Sequence, residues 1–465
     1  MSLCEAASAS PVLHVTASGV EHVDDPYLPA TLEPAPRGVP EDPPPVAGGS
    51  AARTVPGAVK EALGAGAIDQ VRHDGWLSSY KEAKTVKKRL PGLRKKELGR
   101  VIDSMGALAR GGLLSPSRLA PTFLELERNT LFWREKPIPG AGARLTFGNS
   151  QIVFQYYPGQ GLRIQPLANF AKANGFYNAC KGINVRPGTP CRKQSFAAML
   201  DELLALGAVR GKPAYTAWEY YFTFDGGRPP WVSSLSQGTA IQAFARGTEL
   251  LGDPKYAAAA TAGIGAFEQR PPTGVAVPAD GGTHYVIYSF LPRFFVVNAF
   301  IQSLNGLYDY STITGDPRGL GLFNAGEAAA RVQTRQHDTG AWSLYGRGGR
   351  ESTLGYHRLV RDFLSGLCDR TQTDVYCTTA ASFTRYLHEK PKLEWLGRKG
   401  RTIKFRLSKL STVTVTARVK GKSRVISSKF VGYGVKSYGL PKGASSVKVR
   451  AKDLRNHPTQ LVKSI

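Results

Sequence analysis

Tyrosine is the residue on which chemistry is most readily built in this chain. Tyr156, Tyr157, Tyr220, Tyr221, Tyr285, Tyr288, Tyr308, Tyr345 and Tyr376 fall where loops meet helix starts. Gathered in loops that line a cleft, they would form a sugar site, because aromatic rings stack on pyranose faces and phenols donate or accept hydrogen bonds. A phenol whose pKa is lowered by a nearby Arg or Lys also exchanges protons. Core packing is the alternative use of the same rings. Within the turn Tyr156-Tyr157-Pro158-Gly159-Gln160-Gly161-Leu162-Arg163, Tyr157 and Arg163 are candidates to line such a cleft, with Arg163 facing an acidic sugar. The same turn can equally be a connection from a small sheet to the first helix. Gln237 either touches substrate or caps a helix. No His or Cys grouping has zinc-site spacing, so neither metal nor cofactor is expected.

The elements that must position these side chains are mainly helical. Apolar residues recur at helical spacing over 195–209, 234–251, 254–267, 291–314, 322–333 and 376–388. Several of these stretches begin with a capping signal, such as Ser234 or Asp253-Pro254. Helix pairs joined by aromatic-rich loops predict an α/α toroid whose loops converge on one end. Residues 144–147 and 151–157 read as strands of a small flanking sheet. From residue 401 the period switches to two, which predicts an immunoglobulin-like or fibronectin-like β-sandwich with basic side chains on its solvent phase. The expected organisation is a disordered leader over 1–56, a basic helical segment over 57–115, the α/α domain over 116–392 and the sandwich over 395–465.

One ordered set of segments is more specific. Leu235-Ser236-Gln237-Gly238 opens a helix that ends near Gly252-Asp253-Pro254. Asn298-Ala299-Phe300, Gly306-Leu307-Tyr308-Asp309, His337-Asp338-Thr339-Gly340, Ser343-Leu344-Tyr345 and Tyr376-Cys377-Thr378-Thr379 follow it. In this order they resemble the C-terminal domain of the D-glucuronyl C5-epimerases over about residues 157–387. The resemblance implies C5 epimerisation of D-glucuronyl residues in an acidic polysaccharide of the heparosan kind. It matches Tyr376 to a proton-transfer tyrosine, and Tyr345 and Tyr288 to a second and a third active-site tyrosine. The family has a glutamate immediately before the third, where this chain has Ile287. Either another group takes its part, His284 or Tyr288 itself, or the reaction is not epimerisation. A lyase shares the first proton abstraction, and a non-catalytic glycan-binding protein would keep the scaffold alone. Arg347 and Arg350 are candidates to hold the sugar carboxylate, a task suited to the guanidinium fork.

The charge supports an anionic partner independently. The 61 Lys+Arg exceed the 35 Asp+Glu by 26, and 20 of those cations against three acids lie in residues 389–465. Charges alternating along strands, without a stacking set of aromatics or a groove-reading helix, favour an acidic polysaccharide over nucleic acid. No stretch has the apolar length of a membrane span, and no export signal follows Met1. Cys180/Cys191 and Cys368/Cys377 permit two short-loop disulfides or buried free thiols. Disulfides would favour a secreted or envelope location. A homodimer is a further expectation.

Overall fold

The computed structural model describes residues 10–31 and 54–465. Strands β1 (Ser10–Val15) and β2 (Val20–Asp25) form an antiparallel hairpin. Helices α1 (Val55–Gly64), α2 (Gln70–Arg89), α3 (Gly92–Arg110) and α4 (Pro116–Glu135) follow. Then come β3 (Arg144–Phe147), β4 (Phe154–Tyr157) and β5 (Gly161–Ile164), which join the hairpin in one sheet of order β2-β1-β3-β4-β5. The expected disordered leader is thereby corrected over 10–31, while positions 1–9 and 32–53 lie outside the described residues. Val12 and Val15 of β1 are buried, and β1 pairs in parallel with β3. A partner so distant in sequence leaves no local periodic signal. The basic stretch after it is helical as read. Its helices α2 and α3 pack on α4, where Trp76 stacks on Phe123 at 5.1 Å.

The central unit alternates inner and outer helices. In chain order they are α5 (Pro166–Lys181), α6 (Lys193–Ala205), α7 (Ser234–Leu251), α8 (Pro254–Gly263), α9 (Val297–Thr314), α10 (Pro317–Gln336), α11 (Leu354–Thr371) and α12 (Asp374–Tyr386). Small hairpins β6 (Ala208–Arg210) with β7 (Tyr215–Ala217), and β8 (Ala276–Ala279) with β9 (Gly282–Tyr285), interrupt them. α5 packs on α7, α7 on α9 and α9 on α11, while α6, α8, α10 and α12 pack on the odd-numbered helices beside them. Of the inner helices, α7 and α9 are closed on all sides over most of their length, as a helix apolar or small around its circumference must be. Residues 234–245 of α7 and 297–307 of α9 are all buried. Glycine makes their crossing possible, since a Cβ on Gly306 would lie 2.1 Å from the Gly238 carbonyl oxygen. The helix expected from residue 291 begins six residues late at Val297, because 286–296 is an aromatic loop containing Pro292. Two disulfides, Cys180–Cys191 and Cys368–Cys377, close the α5–α6 loop and tie α11 to α12.

The last strands are β10 (Leu393–Lys399), β11 (Thr402–Leu407), β12 (Ser411–Val419), β13 (Lys422–Val431), β14 (Gly434–Gly439), β15 (Ala444–Asp453) and β16 (Pro458–Ser464). They make a three-stranded sheet β10-β11-β14 and a four-stranded sheet β13-β12-β15-β16. Ile403, Phe405 and Leu407 of one sheet meet Val413, Val415, Val447 and Val449 of the other in a single core. The alternation seen in the sequence is this inward phase. Two buried charges seat the unit on the helices. Lys409 donates to the Tyr386 carbonyl at 2.9 Å and pairs with Asp453 at 3.0 Å. Glu351 accepts from the backbone N–H groups of Leu410 and Tyr433 at 2.8 and 2.7 Å.

Candidate functional site at the inner-helix N-termini

The first turns of the four inner helices meet at one end of the helical unit. Leu167 of α5, Leu235 of α7, Val296 and Ala299 at the start of α9, and Tyr356 of α11 share one cluster with Ile287, Tyr288 and Tyr345. Four helix N-termini directed at one place favour negative charge there. Three loops supply the aromatic residues. The loop before α7 folds back on itself through the bridges Tyr220↔Trp231 and Phe224↔Gly227. The loop before α9 carries Tyr288, and the loop before α11 carries Tyr345.

Tyr157, Tyr220, Tyr288, Tyr345 and Tyr356 come together here. Tyr220 lies flat on Trp231 at 3.9 Å, and Tyr288 lies flat on Phe290 at 5.2 Å. Tyr288 also meets Trp231 and Phe224 edge-on at 5.5 and 5.7 Å. Tyr345 meets Tyr356 edge-on at 4.9 Å. Gln165, the N-cap of α5, donates to the Tyr157 hydroxyl at 3.3 Å.

Burial, not a neighbouring cation, governs these phenols. It holds Tyr288 and Tyr345 well above the usual phenol pKa, and the surrounding tyrosines and Asp225 push both further up. Burial likewise raises Tyr157, and pushes Tyr220 up to about 12. The expectation of phenols lowered by Arg or Lys is therefore corrected: each is a neutral donor at neutral pH. Asp225 is the carboxylate whose charge reaches both Tyr288 and Tyr345. It sits at the tip of the Phe224–Gly227 turn with a left-handed φ of 45°, a conformation Asp tolerates better than most residues.

Other candidates lie elsewhere. Tyr376 is fully buried on α12, and its hydroxyl is shared between the backbone and side-chain oxygens of Glu327 on α10 at 3.1 and 3.0 Å. The structure thus separates it from Tyr288 and Tyr345. An open depression of about 670 Å³, lined by Arg331, Arg335 and Asp374 among others, lies near it. His284 is sealed in the core, stacked on Phe295 at 4.0 Å, with Nδ1 on Gln333 at 2.8 Å. Burial lowers its pKa to about 3, so it is a neutral, walled-in imidazole and not a replacement for the missing carboxylate.

Arg163 faces no cleft. It is 1% exposed, pairs with Glu125 at 2.7 Å and donates to Ser104 and the Gln160 carbonyl. Gln237 spends its amide on the Thr216 and Gly263 carbonyls at 2.8 and 2.9 Å, so it holds α7 to its neighbours and is not available to substrate. Arg347 and Arg350 are exposed on the loop after Tyr345. Arg347 lies over the Phe295 ring and 3.8 Å from Asp280. Ile287 is buried against Leu235 and Tyr345.

Asp225 and Tyr356 carry no local signal, and Asn298 stands only within the matched segment Asn298-Ala299-Phe300. Asp225-Gly226-Gly227 reads locally as an ordinary turn. Tyr356 lies in the first turn of a helix that was not anticipated. Asn298, also in a first turn, is buried and its Nδ2 has no hydrogen-bond partner among the described residues.

Residues 212–385 match the family model described as D-glucuronyl C5-epimerase C-terminus. The resemblance to that family is shown over these residues. A D-glucuronyl C5-epimerase of Caenorhabditis elegans is 26% identical over 184 residues, which is 35% of this chain. The chain spans 30% of that relative's length. Among solved structures, a sugar epimerase from a ruminal bacterium is similar at a TM-score of 0.34 and 12% identity, over 49% of this chain and 62% of that one. A GH76 α-mannanase of Bacteroides thetaiotaomicron is similar at 0.36 and 12%, over 71% and 86%. Neither superposition is close enough to carry an argument about fold.

Proposed function

We propose that the chain is a polysaccharide-modifying enzyme that inverts C5 of D-glucuronyl residues. The observation that carries this reading is the meeting of Tyr288 and Tyr345, both kept protonated by burial, beside the turn whose Phe224 touches Tyr288 and whose Asp225 charge acts on both phenols. Epimerisation needs a base on one ring face and an acid on the other. The Asp225 carboxylate takes the C5 proton, and the electron pair left behind spreads into the sugar carboxyl group. A neutral phenol, Tyr345 or Tyr288, then returns a proton to the opposite face. The phenolate and the protonated Asp225 are reset by exchange with water. Arg347 and Arg350 neutralise the sugar carboxylate, assisted by the inner-helix N-termini. Ile287 can play no part in proton transfer, so in this reading the acidic partner comes from the preceding loop.

A lyase reading shares the first step and would use a phenol to protonate the departing O4. The experiment follows solvent deuterium into C5 of a glucuronate polymer, together with ultraviolet absorbance. Label without absorbance supports the epimerase, absorbance supports the lyase, and neither sinks both. We also read the C-terminal module as immunoglobulin-like or fibronectin-like. Two formed disulfides favour an oxidising, extracytoplasmic setting.

A further inference from the structure

The four-stranded sheet of the C-terminal unit carries cations and hydroxyls in register on its outer face. Its register aligns Phe430, Thr412, Lys452 and Pro458 in one row across β13, β12, β15 and β16. The next row is Ser428, Thr414, Arg450 and Gln460, and the third is Val425, Thr416, Lys448 and Val462. Lys448, Arg450 and Lys452 therefore form one exposed column along β15, spanning roughly 13 Å at the strand rise. Thr412, Thr414 and Thr416 form a parallel column of hydroxyls on β12, and exposed Arg418 extends the row.

Among the described residues, no acid is paired with this column. The four strands contain a single carboxylate, Asp453, which is buried against Lys409 and His457. The two other acids of residues 389–465 are also taken, Glu394 by Arg406 and Glu389 by Arg385. The usual fate of a run of surface cations is to be interleaved with acids; here the face is left positive.

We propose that this face binds a linear anionic polysaccharide laid along β15, with its carboxylates on Lys448, Arg450 and Lys452 and its hydroxyls on the threonine column. A flat strip of cations beside hydroxyls complements a chain that alternates charge and hydroxyl groups. Nucleic acid is the poorer fit, because Phe430 is the one ring on the face and single strands are held by stacking on several. The proposal takes its probe from the function proposed above but not its logic, since binding here requires no chemistry at C5. Glu351 ties this unit to the loop that carries Tyr345 by accepting from Leu410 and Tyr433.

The test uses the full chain and a long unsulfated polymer of glucuronate and N-acetylglucosamine, with a neutral glucan and duplex DNA as comparators. The substitutions Lys448→Thr, Arg450→Thr and Lys452→Thr are combined, since threonine suits a strand. A second variant removes the same charge from the opposite sheet and its hairpin through Lys399→Thr, Arg401→Thr and Lys404→Thr. The β15 variant should bind the polymer about tenfold or more weakly, with the slope of log affinity against log salt reduced by roughly 2. The opposite-sheet variant should bind much as the parent does. Equal losses in the two variants, or no loss in the first, overturn the proposal, as does tighter binding of duplex DNA than of the polymer. Should the triple variant fail to fold, Arg450→Thr alone decides, with about a threefold loss expected. Deuterium labelling of a short oligosaccharide should be unchanged in the β15 variant. Loss of catalysis in a Tyr345 variant with polymer binding intact would therefore judge the active site and this surface separately.

Discussion

Replacing Tyr345 and Tyr376 by phenylalanine, one at a time, separates a tyrosine placed for chemistry from one placed for packing. Tyr345 lies in the cluster at the inner-helix N-termini with Tyr288 and Tyr356. Losing its hydroxyl removes a proton donor, a change that costs ~10²–10⁴ in rate for a general acid. Tyr376 instead bonds Glu327 in the interface of α10 and α12. Its loss strands little, because the Glu327 carboxylate keeps Arg331 at 2.7 Å. The cost is therefore that of one hydrogen bond, about 1 kcal/mol, and not the larger penalty of an orphaned buried acceptor. Two assays are read on each variant: deuterium incorporation at C5 of a glucuronate polymer, and the urea midpoint. Tyr345→Phe should lose labelling at an almost unchanged midpoint, and Tyr376→Phe should lower the midpoint while labelling continues. Loss of labelling in Tyr376→Phe without loss of stability would refute this division of roles. Full labelling in Tyr345→Phe would leave Tyr288 as the donor, and full labelling in Tyr345→Phe and Tyr288→Phe alike would remove the site assignment itself.

Asp225→Asn keeps the left-handed turn, since Asn also tolerates positive φ, and should cut C5 labelling about a hundredfold or more; parental labelling would exclude Asp225 as the base. Arg163→Met leaves Glu125 buried without its cation and should cost about 3–5 kcal/mol by urea denaturation. Adding Glu125→Gln should recover part of that loss, and no recovery would argue against the pair. Burial holds His284 and His357 at pKa values of about 3, below the ~6.5 of an unfolded chain. Between these values the unfolded state binds more protons, so the stability these residues confer is complete above pH ~6.5 and drains away as pH falls toward 3. The slope is about 1.4 kcal/mol per pH unit for each. Comparing urea midpoints at pH 7 and pH 4.5 in the parent and in His284→Asn checks this, and an identical pH dependence in the two would contradict it.

What the sequence determined was whatever local chemistry dictates. Ser234 through Leu251 is a helix because its period and ends say so, and 402–407 and 411–419 are strands because their alternation matches a half-buried pleat. The ordered segments from Leu235 to Tyr376 carried the resemblance to the D-glucuronyl C5-epimerases, which holds over residues 212–385, and Tyr288 and Tyr345 do come together. Local signals could not say which side chains were already engaged. Arg163, Gln237 and His284 have the right types for binding, yet Glu125, the Thr216 and Gly263 carbonyls, and Gln333 claim them across the fold. Nor could they find β1, whose partner β3 lies far downstream, or the role of Asp225, whose neighbourhood reads as a turn. Period and capping are properties of a few consecutive residues, and the sequence carries them openly. Burial, pKa and the pairing of charges depend on which distant segments meet, and only the tertiary structure decides that.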